Sequence, residues 1–438
     1  MKLHLVSLGC AKNLVDSEGM LGRLMQTGCN ITLTPEEADV IIINTCSFIE
    51  SAVNESIDTI LELAKYKMAG SCQRLVVTGC LPERFREAII DTLPEVDVFL
   101  GTGAFDKIIP AVVEPLDGSR CHLPNPDDAC FQKQASRTIL SAHNLAYIKI
   151  AEGCDRRCTY CIIPKLRGKQ KSRYLQDIIS EARSLVSAGI KELILVAQDT
   201  TSYGNDLKPP VPLSRVLDNL SEISDNIWIR LLYGHPESMD ESIIRTISKY
   251  RNICSYFDIP IQHVSGSILK KMGRNYSADN LYKLFDSIRS LVPDAALRTT
   301  LLVGFPGETD AHFEELLTFI KAVRFDHLGT FIYSDAEDLP SHKLSGHVPH
   351  DIADERREQI MSSQQKISSQ INQKHIGKVY DVLIEEAVEN NLYTGRTFFQ
   401  SPEVDGITTI QSKQLNIGTF ARVKILDALE YDLTGEVV

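Results

Sequence analysis

LAYIKIAEGCDRRCTYC, residues 145–161, runs a strand into a cluster of thiols. LAYIKIA is an apolar run of strand length, and the polar loop behind it places Cys154, Cys158 and Cys161 in a C-x3-C-x2-C spacing. Soft thiolates select iron–sulfur clusters, zinc or Cu(I). Ferredoxin runs use C-x2-C-x2-C with a remote fourth cysteine, and structural zinc shows paired C-x2-C units or accompanying histidines. The loop matches neither pattern. Three protein ligands on a four-iron cluster leave one iron open, an arrangement for binding a small molecule rather than for passing an electron.

Strand-like runs continue downstream: ELILVA (192–197), IWIRLLY (227–233), YFDIP (256–260), LRTTLLVGF (297–305) and HLGTFIY (327–333). Helical patterns lie between them, as where Leu175, Ile178, Ile179, Ala182, Leu185 and Val186 form one apolar stripe. Six β/α repeats predict a partial (β/α)6 TIM-like barrel. Each predicted strand ends in polar or special residues: Cys154, Gln198 with Asp199, His235, Gln262 with His263, Gly304 to Glu308, and Ser334. Barrels keep their sites at that end. In LLVGFPGET (301–309), Gly304 and Gly307 let backbone amides approach a ligand, but the Gly-Lys-Ser/Thr ending of a nucleotide P-loop is missing. His235 and His263 read as hydrogen-bonded polar residues rather than ligands. No Ser-His-Asp signature or paired-carboxylate motif for hydrolysis is present.

Upstream, LHLVSLG (3–9), DVIIINT (39–45), RLVVTG (74–79) and a short VDVFLG alternate with amphipathic stretches, which predicts an α/β domain with a parallel sheet. Cys10, Cys46 and Cys80 each fall one or two residues past a predicted strand, so the topology brings three thiols to one sheet edge. A lone cysteine is usually a small buried hydrophobe. Three that repeat one topological position predict a second three-cysteine metal site. Cys29, Cys72, Cys121, Cys130 and Cys254 share no such position and read as structural or incidental. Residues 114–142 lose periodicity and gather Pro, Asp and Ser, as a linker does. Behind a helix predicted over 353–374, short alternating runs predict a small antiparallel β-barrel. The predicted divisions are 1–113, 114–142, 143–372 and 373–438.

The chain has 438 residues, 43% of them hydrophobic and 24% charged, with a net charge of -12. That balance opposes whole-molecule attraction to nucleic acid. No run approaches the roughly 18 apolar residues of a membrane span, and the start lacks a signal-peptide layout, so the expected compartment is the cytosol. There the eleven cysteines are expected as metal ligands or isolated thiols rather than disulfides.

GCDRRCTYC resembles the radical S-adenosylmethionine (SAM) superfamily. Together with Cys10, Cys46 and Cys80 ahead of it and the β-barrel behind, the chain resembles the methylthiotransferases of that superfamily over essentially its whole length. The resemblance implies a [4Fe-4S] cluster on Cys154, Cys158 and Cys161 whose open iron takes SAM, and a second [4Fe-4S] cluster on Cys10, Cys46 and Cys80. It implies Tyr160 near the adenine, and Gln198, Arg298 and the turn from Gly304 to Gly307 in contact with SAM. SAM would serve as methyl donor and as source of a 5'-deoxyadenosyl radical that takes hydrogen from an unactivated carbon, leaving a C-SCH3 group. The last segment would be a TRAM domain.

SLGCAKNLVDSE (7–18), RLLYGHPES, DIPIQHVSGSILKKMGR, FDHLGTFIYSDAEDLPS and SPEVDGI (401–407) are similar to the branch that modifies the β-carbon of an aspartate in the twelfth protein of the small ribosomal subunit. The branch acting on tRNA adenosine usually carries a GCQMN-like opening. Phe398 and Phe399 before Gln400 depart from the pattern. Residues 375–438 hold five basic and ten acidic side chains, a net of -5 that favours a basic protein substrate over a phosphate backbone. Expected partners are that ribosomal protein, alone or within the ribosome or its subunit, and an electron donor such as flavodoxin or ferredoxin. Neither a membrane nor a nucleic acid substrate is expected. A tRNA methylthiotransferase, an iron–sulfur electron carrier and a zinc-stabilised RNA-binding protein are the rival readings.

Overall fold

Residues 1–115, 120–129, 137–141 and 144–438 are described by the computed structural model. They divide into two compact units. The first holds Met1–Leu140, Ala151–Arg157 and Cys161–Arg173; the second holds Ser141–Ile150, Cys158–Tyr160 and Tyr174–Val438.

The first unit is built on six parallel strands: Lys2–Ser7 (β1), Asn30–Ile31 (β2), Val40–Thr45 (β3), Arg74–Gly79 (β4), Val98–Leu100 (β5) and Cys121–His122 (β6), in the order β2-β1-β3-β4-β5-β6. The central run VIIINT of β3 is buried throughout, as expected of a strand with helices on both faces. Alternation divides its side chains. Ile41, Ile43, Leu75, Val77 and Phe99 share a core with Ile60 and Leu63 of the helix Glu50–Ala64. Val40, Ile42, Val76, Val98 and Leu100 face Met20 and Leu24 of the helix Ala11–Met25, with Ile108 and Val112. β2 and β6 were not visible in the periodicity, because two residues cannot display an alternation. Hence part of the predicted linker belongs to the sheet, where Phe99 pairs with Cys121. Cys130 and residues 116–119, 131–136 and 142–143 of that stretch lie outside the described residues.

Leu145–Lys149 (β7) opens the second unit. The chain then returns to the first for an antiparallel pair, Ala151–Glu152 (β8) with Lys171–Ser172 (β9), which closes the base of the cysteine loop. This crosses the division expected at residue 143, and hydrogen bonds explain it. The Lys169 amide donates to Asp127 Oδ1 at 2.7 Å, and Thr102 Oγ1 donates to Leu166 O at 2.5 Å.

The second unit continues with Glu192–Val196 (β10), Trp228–Leu231 (β11), Tyr256–Asp258 (β12), Ala296–Val303 (β13) and His327–Ile332 (β14). β11-β10-β7 and β12-β13-β14 are parallel sheets. They join where the Cys254 amide donates to Ile229 O at 2.8 Å and the Ile229 amide to Asn252 O at 2.7 Å, giving the partial (β/α)6 barrel. The helix His350–Asn372 leads out of it.

The last segment closes a five-stranded barrel from Val379–Glu389 (β15), Leu392–Arg396 (β16), Thr408–Gln411 (β17), Phe420–Ala428 (β18) and Leu433–Val437 (β19), in the order β15-β16-β17-β19-β18. Its pairs are antiparallel except β17 with β19, which closes the barrel in parallel. This small barrel packs on the amino ends of the β/α strands. The Trp228 ring lies against Phe420 at a tilt of 57°, with centroids 4.8 Å apart. Glu192, at the start of β10, lies between Arg230 Nε at 2.6 Å and Arg396 Nη2 at 2.5 Å, all three side chains buried. Tyr256 donates its hydroxyl to Asp405 at 2.6 Å. The carboxyl ends of the strands are left for the site.

Candidate functional site

Cys10, Cys46 and Cys80 follow β1, β3 and β4, and the parallel register of these strands brings their ends together. Gly9, between β1 and Cys10, has φ +87°, and a Cβ there would lie 2.6 Å from Cys46 Cβ and 2.9 Å from its Sγ. Only glycine fits that approach. The thiols feel one another: the charges of Cys10 and Cys46 both act to raise Cys80. Burial pushes Cys80 to about 11, opposed by the Arg167 charge, and burial raises Cys46 as well. Cys10 behaves differently. Desolvation acts upward, but Lys12, Arg167 and the amides of Asn13 and Lys12 hold its thiol below the ordinary value.

The second trio belongs to the loop over β8 and β9. The Cys154 amide donates to Gly168 O at 3.0 Å, and the Arg156 amide to Cys154 Sγ at 3.4 Å. Cys154 and Cys161 fall in the first unit and Cys158 in the second. Within the second unit, the stretch behind Cys158 is sewn to the helix Gly266–Met272: Thr159 donates its amide to Met272 O at 3.0 Å and its hydroxyl to Lys271 O at 2.8 Å. Among the described residues no three His, Cys, Asp or Glu side chains stand at the spacing of one metal ion. A four-iron cluster spreads its thiolates more widely than one ion does.

Tyr160 accepts from Arg274 Nη2 at 2.7 Å, and its ring meets Phe305 edge-on at 6.3 Å. Phe305 lies in the turn from Gly304 to Gly307. Gly304 has φ +74°, and a Cβ there would stand 2.6 Å from Ala353 Cβ. Glu308 fixes this turn by accepting from the Gly304 amide at 3.1 Å, and is itself held by Arg356 Nη1 at 2.8 Å. The Gly307 amide donates to Gly346 O at 2.7 Å. Tyr160, Phe305, Leu302, Ile268 and Met272 thus pack together beside the turn. Gln198 follows β10 at its carboxyl end, just ahead of a turn capped by Asp199, whose Oδ1 accepts from the Ser202 amide at 3.2 Å.

Arg298 is not brought to this turn. It is the third residue of β13, six residues and about 20 Å of strand before Gly304. Its guanidinium is held by Asp258 at 2.9 Å and lies 3.6 Å from Asp405 of the small barrel. The attraction of two carboxylates draws it toward the amino ends. His263 is fully buried, its Nδ1 accepting from the amides of Val264 and Ser265 at 2.9 Å each, and burial lowers it to about 3. His235 Nε2 accepts from Arg274 Nη1 at 2.9 Å. Both histidines are hydrogen-bonded, as the sequence suggests.

Two arginines escaped the sequence reading. Arg274 is buried among Tyr160, Tyr276 and His235, with Cys158 close enough to act on its charge. Arg167 plays a comparable part among the first three thiols. The only signal for either was its place beside a motif, Arg274 at the end of SILKKMGR and Arg167 six residues after Cys161.

Comparisons with known proteins agree with this architecture. Residues 2–101 match the uncharacterized protein family UPF0004, residues 148–320 the radical SAM superfamily and residues 376–438 the TRAM domain. A solved radical SAM methyltransferase, TsrM from Kitasatospora setae with cobalamin and a [4Fe-4S] cluster bound, is similar in fold at TM-score 0.57 and 15% identity, over 78% of this chain and 76% of that one. A ribosomal protein uS12 methylthiotransferase RimO from Desulfosudis oleivorans is 54% identical over all of both chains. Its counterpart in Clostridioides difficile is 48% identical over all of this chain and 99% of that one. With such identity from end to end, the chain belongs to the RimO family of ribosomal protein uS12 methylthiotransferases, enzymes of the radical SAM superfamily.

Proposed function

We propose that this chain attaches a methylthio group to the β-carbon of an aspartate in protein uS12, with Cys154, Cys158 and Cys161 holding one [4Fe-4S] cluster and Cys10, Cys46 and Cys80 a second. The observation that carries the two-cluster reading is the convergence of three thiols from three separate strand ends of the first unit. The donor set suits iron–sulfur chemistry: three cysteines and no histidine, two of them desolvated thiols that give up protons when metal binds. When bound, SAM and the clusters would supply the methyl group and the radical that removes hydrogen from the target carbon.

The chain's own residues bind and orient. Tyr160, held by Arg274, offers an aromatic face beside the Gly304–Gly307 turn, whose amides Glu308 and Gly346 fix in place. These groups, with Gln198 at the neighbouring strand end, form the surface on which we place SAM. Arg298 is better read as a brace between the two barrels of the second unit.

The small barrel supports a basic protein partner. Arg396, one of its five cations, is buried on Glu192 and Glu385; Lys378, Lys413, Arg422 and Lys424 are exposed, against exposed Asp381, Glu386, Glu389, Glu403, Asp427, Glu430 and Glu436, so the acids outnumber the cations on the surface. Such a surface repels phosphate and attracts a ribosomal protein, free or in its subunit. The ribosomal substrate implies work in the cytosol with a soluble reductant such as flavodoxin or ferredoxin; no described helix is long and apolar enough to cross a membrane. The test is anaerobic incubation of the reconstituted protein with SAM and reductant, offered uS12 or tRNA. Mass analysis is expected to find one methylthio group on an aspartate of uS12. Methylthiolation of tRNA alone overturns the proposal.

A further inference from the structure

Arg167 ends the short helix Ile163–Arg167, directly behind the C-x3-C-x2-C loop, yet its guanidinium lies against Cys80 of the other trio. It is 3% exposed, so every donor must find a partner inside the protein. Nη2 lies 3.5 Å from Cys80 Sγ and 2.7 Å from Asn13 Oδ1. Nη1 lies 2.6 Å from Asp16 Oδ2 and 3.2 Å from Glu152 Oε2. Asn13 in turn donates its Nδ2 to Leu8 O at 2.8 Å and Thr45 O at 3.0 Å. Those carbonyls stand just ahead of Cys10 and Cys46. One guanidinium therefore touches Cys80 directly and, through Asn13, the backbone that presents the other two thiols. Its charge also acts on all three.

We propose that Arg167 is a positioning residue for the Cys10, Cys46 and Cys80 centre, fixing the three loops and setting the reduction potential of the cluster they hold through its charge and its N–H···S bond to Cys80. This rests on the reading of these cysteines as cluster ligands. Cluster potentials respond to net charge and to hydrogen bonds on the sulfurs. A buried cation favours the reduced, more negative state, and the carboxylates of Asp16 and Glu152 moderate it. The shape of the side chain matters: a lysine ammonium keeps the charge but cannot span Cys80, Asn13 and Asp16 with a planar fork.

The experiment is an EPR-monitored redox titration, with dithionite, of full-length protein in which Cys154, Cys158 and Cys161 are replaced by alanine, so that only this centre is loaded. Absence of iron in that background removes the ligand reading and this inference together. With iron bound, Arg167→Met is expected to lower the midpoint so that the reduced-to-oxidised ratio at a fixed potential falls at least tenfold, 59 mV for one electron. Arg167→Lys should recover part of that shift. Should Arg167→Met fail to load, Asp16→Asn decides, because it keeps the contact while removing a negative charge and is expected to move the midpoint upward. A role confined to packing would not give shifts of opposite sign. An unchanged midpoint in a fully loaded Arg167→Met protein, or a downward shift in Asp16→Asn, overturns the proposal.

Discussion

Replacing Glu192 by alanine would leave two buried guanidiniums, those of Arg230 and Arg396, without the carboxylate between them. Glu192 and Arg230 are fully buried and Arg396 is 2% exposed. Both cations keep other partners: Arg230 Nη1 donates to Phe398 O at 2.7 Å, and Arg396 reaches Glu385 at 2.6 Å and Gln400 O at 3.0 Å. Arg230 loses the one carboxylate that pairs with it among the described residues, so its charge is no longer compensated. Breaking a buried pair from one side costs about 3–5 kcal/mol. The second unit is larger than the roughly 150–250 residues for which each kcal/mol moves the melting temperature by about 2–4 °C, so at about 1.7 °C per kcal/mol it should melt roughly 5 °C lower or more. Differential scanning calorimetry reads this directly. A second variant separates charge from packing. Glu192→Leu combined with Arg230→Met and Arg396→Met removes all three charges at similar volume, and such exchanges are neutral or stabilising elsewhere. The triple variant should therefore melt above Glu192→Ala although it carries more substitutions. If Glu192→Ala melts within about 1 °C of the parent, or the triple variant melts lower still, the account of this contact as a charge-compensated brace fails.

Three further outcomes are expected. Cys158→Ala should lower iron from about eight to about four atoms per chain and abolish reductive SAM cleavage, as metal analysis and product chromatography would show. Gly304→Ala forces a side chain into φ +74° and against Ala353, a strain of about 1–3 kcal/mol, so SAM affinity by calorimetry should fall roughly tenfold, with partial rescue by Ala353→Gly. Burial holds His263 at about 3, whereas the unfolded chain protonates it near 6.5. Its contribution to stability is thus present above pH 6.5 and is lost as pH falls toward 3, at about 1.4 kcal/mol per pH unit. Urea unfolding at about pH 7.5 and about pH 5.5 should show that loss in the parent and not in His263→Gln.

What the sequence discloses is what chain position alone decides. The runs VIIINT and RLVVTG announce buried parallel strands, and a cysteine just past each strand end must lie on one sheet edge whatever the loops do. The Gly304–Gly307 turn is legible for the same reason, since it follows β13 at the site end of a barrel. Side-chain reach is different. Arg298 sits in the same strand as that turn, yet Asp258 and Asp405 pull it the other way, and neither periodicity nor spacing reveals which carboxylate will be closest after folding.

Arg167, Arg230 and Arg274 share this property. Each is buried, and each bonds groups far from it in sequence: Asn13 and Cys80, Glu192 and Phe398, Tyr160 and His235. An arginine carries five donors at the end of a long stem, so one that is buried must collect acceptors from several segments, and it marks a place where loops converge. Arg230 marks the contact of the two barrels, while Arg167 and Arg274 mark the two sets of thiols. The cysteines can be counted from the sequence, but which cation faces them is decided by tertiary closure. On the proposed reading of these thiols as cluster ligands, the charge that faces each set is therefore fixed in the part of the molecule that sequence patterns leave unread.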